Sequence, residues 1–88
     1  MFRLWAKLIK DNRLIFDNVI INDTDSTRTH KIFDAIETFC YEQDLSKPIW
    51  LDSNISNFKR HNKVRFTSDN FIDEISFDYL EIEIIEED

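Results

Sequence analysis

Residues 27–43, TRTHKIFDAIETFCYEQ, decide how the rest of the chain can fold. Apolar residues recur there at spacings of three and four while polar residues fill the opposite face, which predicts an amphipathic helix. The apolar face consists of Ile32, Phe33, Ala35, Ile36, Phe39 and Cys40. Because the flanking segments alternate apolar and polar residues as strands do, we expect the helix to pack across a small sheet.

The segment before the helix is predicted to form a β-hairpin from residues 2–9, FRLWAKLI, and 13–21, RLIFDNVII. Asp11 and Asn12 separate the two strands, and both residue types tolerate the left-handed conformation that a two-residue turn requires. An uninterrupted ladder from this turn pairs Leu8 with Ile15. The core face of the hairpin would then consist of Phe2, Leu4, Ala6, Leu8, Ile15, Val19 and Ile21, with Asp17 as the only polar intruder.

The opposite face of the hairpin is too apolar for a fully solvated surface. It contains Trp5, Ile9, Leu14, Phe16 and Ile20. One interpretation is that a later loop, or the aliphatic stems of Arg3 and Lys7, covers these residues. The other is a surface that binds a protein partner or a second copy of the chain.

The second half of the chain contains weaker signals. Pro48 cannot continue the helix, a short helix can start near Ser53, and strands are predicted at 63–67 and 77–86. We therefore predict a single α+β domain over residues 1–88, with a small mixed sheet and one main helix packed across it. The expected order is β-grasp-like (ubiquitin-like), β-β-α-β-β, with the last strand parallel beside the first. A ferredoxin-like split is the alternative.

The composition excludes several functions. The 88 residues include no glycine, and the phosphate-cradling loops of nucleotide-binding proteins need glycine for close backbone approach. Tight turns must instead use Asn and Asp. The net charge of −7 argues against bulk attraction to nucleic acid or anionic membranes. No apolar run approaches the ~18 residues of a membrane span, and none suits a signal peptide, so a cytoplasmic protein without membrane partners is expected.

The residues best suited to chemistry are too few and too scattered to form a site. His30, His61 and the single cysteine, Cys40, have no zinc-ligand spacing. His30 is interpreted as a polar residue of the first helical turn and Cys40 as a buried thiol. The sequence therefore predicts no catalytic, cofactor-binding or metal-binding residue, and no enzyme.

Basic residues are concentrated in residues 58–66, FKRHNKVRF. They are Lys59, Arg60, His61, Lys63 and Arg65. Basic side chains interleaved with aromatic ones are typical of single-stranded nucleic-acid binders, although Phe58 and Phe66 are expected to point into the core. An acidic protein partner and simple neutralisation of the acidic C-terminal strand are the other interpretations.

The chain resembles a family of short proteins of anaerobic Gram-positive bacteria. The resemblance lies in FRLWAK at 2–7, DSTRTHKIF at 25–33, PIWL at 48–51, NFKRHNKVRF at 57–66, DNFI at 69–72 and FDYLEIEIIEED at 77–88. It implies a cytoplasmic bacterial protein and brings no activity, ligand or site. The sequence thus predicts a small non-enzymatic protein-interaction or scaffold module, with a homodimer through the outer face of the hairpin as one form. Weak nucleic-acid binding by residues 58–66 is the alternative.

Overall fold

The computed structural model describes residues 1–87, so that Asp88, the last residue of the predicted domain, lies outside the described part. Its elements are β1 (Phe2–Lys10), β2 (Arg13–Asn22), α1 (Arg28–Glu42), α2 (Asp52–His61), β3 (Lys63–Phe66) and β4 (Tyr79–Glu86), with a 3₁₀ turn (Ser68–Asn70) before β4. The strands form an antiparallel sheet in the order β2-β1-β4-β3. This confirms a small α+β fold, with one helix more than the predicted order contains.

In the absence of glycine, Asp and Asn residues occupy the turn positions that need a positive φ. Within residues 1–87, the residues with positive φ are Asp11, Asn12, Asp44 and Asn62. Asp11 and Asn12, at φ values of 53° and 63°, form the predicted two-residue turn between β1 and β2. Asn and Asp adopt this conformation at lower cost than other residues with a side chain.

Helix α1 begins and ends where its sequence indicates. The side chain of Thr27 accepts a hydrogen bond of 3.3 Å from the backbone N–H of His30 and caps the helix. The buried residues of α1 are Ile32, Ala35, Ile36, Phe39 and Cys40. Phe33, which was predicted on the same face, is 47% exposed.

The predicted register of the hairpin is wrong. Lys10 pairs with Arg13 and Ile9 with Leu14, but Leu8 pairs with Phe16. One residue of β2, Ile15, therefore has no partner on β1, as in a β-bulge. Because side chains alternate with a period of two, one extra residue turns the rest of β2 over.

This shift exchanges the faces assigned to the hairpin residues. Phe16 and Ile20, predicted on the outer face, lie on the helix side: the Phe16 ring is 5.9 Å from that of Phe39, and Ile20 packs against the core. Val19 and Ile21, predicted in the core, lie on the outer face and are exposed. The shift also moves Asp17 to the outer face and brings Asn18, which is exposed, to the helix side.

The orientation of the last strand also differs from the expectation. β4 lies beside β1, as in a β-grasp domain, but it runs antiparallel, so the sheet is not mixed. The backbone N–H of Asp78 donates to the carbonyl of Ile9, and the Asp78 carboxylate accepts from the N–H of Asp11. These two bonds place the start of β4 at the β1–β2 turn. The β-grasp-like order is not confirmed, and the observed order of two hairpins separated by two helices also differs from a ferredoxin-like split.

The buried hydrophobic side chains of residues 1–87 form a cluster between the helices and the inner face of the sheet. They are Phe2, Leu4, Ala6, Leu8, Ile32, Ala35, Ile36, Phe39, Cys40, Phe58, Val64, Phe66, Phe71, Phe77, Leu80 and Ile82. No helix within residues 1–87 is long and apolar enough to cross a membrane.

Two buried asparagines tie the irregular second half of the chain together. Asn70 Nδ2 donates to Asn54 Oδ1 and to the carbonyl of Ile49, each at 2.7 Å. Asn54 Oδ1 also accepts from the N–H of Leu51, and its Nδ2 donates to the carbonyl of Arg65. The start of α2, β3 and the 3₁₀ turn are thereby held by side-chain amides where regular backbone pairing is missing.

Candidate partner-binding surface

The two edges of the sheet differ in length and chemistry. β3 is short, with the exposed cations Lys63 and Arg65, and the carbonyl of Arg65 accepts a hydrogen bond of 3.2 Å from Asn54. β2 is ten residues long and contains mostly apolar side chains. Short charged edges are protected against pairing with other chains, whereas long apolar edges invite it. The open edge of this protein is therefore β2.

The large apolar side chains of β2 are exposed on both faces of the sheet. Their exposed fractions lie between 39% and 54%, for Leu14, Ile15, Phe16, Val19 and Ile21. α1 covers the helix side only in part, through Phe16 and Ile20. A single strand with this much exposed apolar surface on both sides is typical of a binding surface rather than of a solvated edge.

The backbone of β2 directs hydrogen-bonding groups out of the sheet along this edge. Because the carbonyl of Ile9 bonds to Asp78, the odd-numbered residues of β1 direct their backbone groups to β4 and the even-numbered ones to β2. The even residues of β1 pair with even residues of β2. Asp17, Val19 and Ile21 therefore direct their backbone groups away from β1, and the N–H of Val19 accordingly donates to the side chain of Asn18 at 3.0 Å.

On the outer face, the β1 residues are covered while their β2 neighbours are not. The indole N–H of Trp5 donates to Asp17 Oδ2 at 2.8 Å, and Lys7 Nζ lies 3.9 Å from the centroid of the Trp5 ring. Trp5 and Ile9 are half-buried. The expected cover by the Lys7 stem thus applies to Trp5, and the exposed apolar strip lies one strand further out, at Val19 and Ile21.

A charge network occupies the other half of the outer face. Lys7 Nζ lies 2.8 Å from Glu81 and 3.2 Å from Glu83, and Arg65 Nε lies 2.9 Å from Glu81. The Arg65 guanidinium also lies 4.6 Å from the Tyr79 ring centroid. The outer face is therefore divided into an apolar part along β2 and a charged part along β4 and β3.

These contacts shift the ionisation of the pair at its centre. Burial alone would raise the pKa of Glu81, but the hydrogen bonds from Lys7 and Arg65 outweigh it and hold that pKa below the ordinary value. Burial likewise opposes the charge of Lys7, yet Glu81 and Glu83 keep its pKa above the ordinary value. The hydrogen bond to Glu81 raises the pKa of Arg65. Lys7, Arg65 and Glu81 are thus charged at neutral pH.

The basic segment does not form one surface. Lys59, Arg60 and His61 lie in the last turn of α2, where positive charge stabilises the helix end. His61, Lys63 and Arg65 line a shallow depression at the β3 edge together with Glu81. The two aromatic residues that could stack on bases, Phe58 and Phe66, are buried.

The side chains that could take part in catalysis or metal binding do not belong to this surface. Cys40 is buried, and burial raises the pKa of its thiol to about 11, which keeps it protonated and unreactive at neutral pH. His30 is exposed in the first turn of α1. Among residues 1–87, no three His, Cys, Asp or Glu side chains come close enough together to hold a metal ion.

Of the five residues predicted for a partner surface, the structure keeps Trp5, Ile9 and Leu14 on the outer face and places Phe16 and Ile20 on the helix side. Sequence reasoning missed Val19 and Ile21. Asp17 could have indicated them. An uninterrupted ladder places this charged residue on the core face, whereas a bulge of one residue places it on the outer face, and Val19 and Ile21 move with it.

No protein-family model, no curated protein and no solved structure matches this chain. Its function therefore has to be inferred from its own geometry.

Proposed function

We propose that this protein is a small non-enzymatic interaction module that associates by strand addition at β2, with a second copy of itself as the partner. The observation that supports this most strongly is the exposure of the apolar side chains of β2 on both faces of an open edge. Pairing of two such edges forms backbone hydrogen bonds and covers both faces at once.

The outward-facing backbone groups of β2 suit a two-fold arrangement, in which the N–H of Val19 exchanges its bond to the Asn18 side chain for one to the partner copy. Three residues direct their backbone groups outwards: Val19 at the centre, with Asp17 and Ile21 two residues away on either side. An antiparallel pair with its two-fold axis at Val19 sets that residue against Val19 of the partner copy, and Asp17 against Ile21 of the partner copy. No two carboxylates face each other in this register, and the four-stranded sheet continues into the partner.

The charge distribution also favours contact at this edge. The protein has a net charge of −7, but β2 contains one cation, Arg13, and one anion, Asp17. The acidic residues Glu81 and Glu83 lie two strands away on β4. Since exposed charges are screened beyond ~8 Å at physiological salt, two copies can approach through β2 with less repulsion than through any acidic face.

Sedimentation analysis of the wild-type protein over a concentration series tests this proposal. We expect a monomer–dimer equilibrium, which the double substitution Val19→Glu/Ile21→Glu abolishes, because it sets carboxylates against each other at position 19 and against Asp17 of the partner copy at position 21. Both positions are exposed, so the monomer should fold normally. Ile72→Glu is the matched control, because Ile72 is 83% exposed and lies far from β2 in the chain. This variant should associate as strongly as the wild type. A wild-type protein that stays monomeric at millimolar concentration would show the homotypic interaction to be wrong.

We further propose, on the sequence resemblance alone, that this is a cytoplasmic protein of an anaerobic Gram-positive bacterium. Fractionation of such a host with an antibody to the protein tests that assignment, and recovery outside the cytoplasm contradicts it.

A further inference from the structure

A second apolar surface lies on the helix side of the sheet, as a groove between α1 and α2. Its volume is about 310 Å³, at the lower end of the range for small-molecule sites. The apolar lining residues are Ile32, Phe33, Trp50, Ile55 and Phe58. None of them belongs to β2, so the groove is separate from the proposed interaction edge.

An aromatic cluster gives this groove a fixed wall. The rings of Phe33 and Phe58 meet the Trp50 ring edge to face, with centroids 6.0 Å and 5.6 Å away, and Phe66 does so at 5.0 Å. Such contacts hold the rings in defined orientations. Phe33 and Ile55 nevertheless remain exposed, which shows that residues 1–87 leave the groove open.

The polar lining residues determine the charge of a suitable ligand. They are Arg28, Thr29 and Lys59, all exposed and therefore at the mouth of the groove. Although the chain has 18 acidic residues, none of the lining residues is acidic. The mouth of the groove thus offers positive charge and hydrogen-bond donors in a protein whose net charge is negative.

The two cations at the mouth differ in their present contacts. Arg28 Nε lies 2.9 Å from Oε2 of Glu87, its Nη2 donates to Asn62, and its guanidinium carbon lies 5.5 Å from the Phe58 ring centroid. Lys59 has no carboxylate within ion-pair distance in residues 1–87. Arg28 is thus held in place beside the aromatic wall, and its bond to Glu87 shows that a carboxylate fits against it. The Lys59 ammonium is free to bind another.

We infer that the groove binds a small amphiphilic carboxylate, whose apolar part lies against Phe33, Trp50 and Phe58 and whose carboxylate binds Lys59 beside Arg28. Apolar burial in the groove supplies the affinity, and the cations fix the orientation.

Tryptophan fluorescence tests this inference, because Trp50 lines the groove and the only other tryptophan, Trp5, lies on the outer face. In the variant Trp5→Phe, titration with octanoate should change the Trp50 emission saturably. 1-Octanol, which has the same chain without the charge, should bind about fivefold more weakly. Equal binding of the two probes would overturn the carboxylate assignment and leave a purely apolar docking surface.

Three substitutions in the Trp5→Phe background locate the binding. Lys59→Gln should weaken octanoate binding about fivefold without affecting 1-octanol, while Lys10→Gln, at the far end of β1, should change neither. Phe33→Glu places a carboxylate on the apolar wall at an exposed position, so the protein should fold and lose octanoate binding. No saturable change with octanoate, or equal affinity in Lys59→Gln and Lys10→Gln, would overturn the inference.

Discussion

Lys7 Nζ lies 2.8 Å from Glu81 Oε2 on the neighbouring strand, and the two side chains are only 12% and 9% exposed. Arg65 on one side, and Trp5 beneath the ammonium, exclude water from them. The pair joins β1 to β4, the two central strands, so its loss should affect the whole sheet.

The first prediction concerns Glu81 and pH. The pKa of Glu81 is lower in the folded protein than its ordinary value of 4.5. The charged carboxylate therefore contributes its full share to the free energy of unfolding above pH 4.5, and this contribution is lost as the pH falls through the folded-state pKa. We expect Glu81→Gln to lower the free energy of unfolding by about 2 kcal/mol at pH 7. At pH 3 the difference from the wild type should shrink.

Urea denaturation of both proteins at the two pH values measures this difference. Glu74→Gln is the control, because Glu74 is exposed and forms no ion pair in the described residues. Its stability should match the wild type at pH 7. A Glu81→Gln deficit that is as large at pH 3 as at pH 7 would show that the charge of Glu81 is not what stabilises the sheet.

The second prediction concerns the buried amides. Asn70→Ala leaves the carbonyl of Ile49, the N–H of Thr67 and one bond of Asn54 without their partner. An unsatisfied buried polar group costs about 1–3 kcal/mol, so we expect a loss of about 3 kcal/mol in unfolding free energy. Asn57→Ala, at an exposed position of α2, should change it by less than about 0.5 kcal/mol. Equal stability of the two variants in urea would exclude this role for Asn70.

The elements that could be predicted from the sequence are the local ones. The β1–β2 turn and α1 were predicted correctly because Asp11-Asn12, the Thr27 cap and the helical spacing act over a few residues. The register of β2 was not. Asp17 on the core face is a sign that the uninterrupted ladder fails, but the adjacent apolar residues Leu14, Ile15 and Phe16 contain nothing that marks which one bulges. The change of register also changed the residues of the partner surface, because Phe16 and Ile20 moved to the helix side and Val19 and Ile21 to the outer face.

The orientation of β4 depends on contacts between distant parts of the chain. Asp78 bonds to Ile9 and Asp11, which are more than sixty residues earlier, and no local pattern around Asp78 indicates this. Helix α2 has the apolar Leu51 at its N-cap position, where a polar capping residue would be expected. The side chain of Asn54 accepts a hydrogen bond from the N–H of Leu51 and fixes the start of the helix. The groove beside α2 could not be predicted for the same reason, since Phe33 and Trp50 meet only in the folded chain.

The third prediction separates strand addition from simple apolar contact. The N–H of Val19 points away from β1, so Val19→Pro removes a donor that the monomer does not use in its sheet. We expect the variant to fold and to remain monomeric in sedimentation analysis. Val19→Ala keeps the N–H and should still associate, more weakly. The N–H of Ile20 faces β1, so Ile20→Pro should lose the native circular dichroism spectrum. A Val19→Pro protein that associates as the wild type does would contradict pairing through β2.

The fourth prediction concerns Asp44, which occupies the left-handed position after the end of α1, where many helices have glycine. The N–H of Leu45 bonds to the carbonyl of Cys40 and that of Asp44 to Tyr41, with Asp44 at a φ of 57°. This is the C-terminal arrangement in which glycine is preferred, and the carboxylate of Asp44 also lies at the negative end of the helix dipole.

We therefore expect Asp44→Gly to raise the unfolding free energy by about 1 kcal/mol, or the melting temperature by roughly 4–8 °C for a domain of this size. Asp44→Asn removes only the charge and should give about half of that gain. Asp34→Gly is the matched control: the same substitution at an exposed position inside α1 should cost about 1 kcal/mol. If Asp44→Gly destabilised the protein as much as Asp34→Gly does, the left-handed backbone at Asp44 would cost nothing. The absence of glycine would then impose no strain at this helix end.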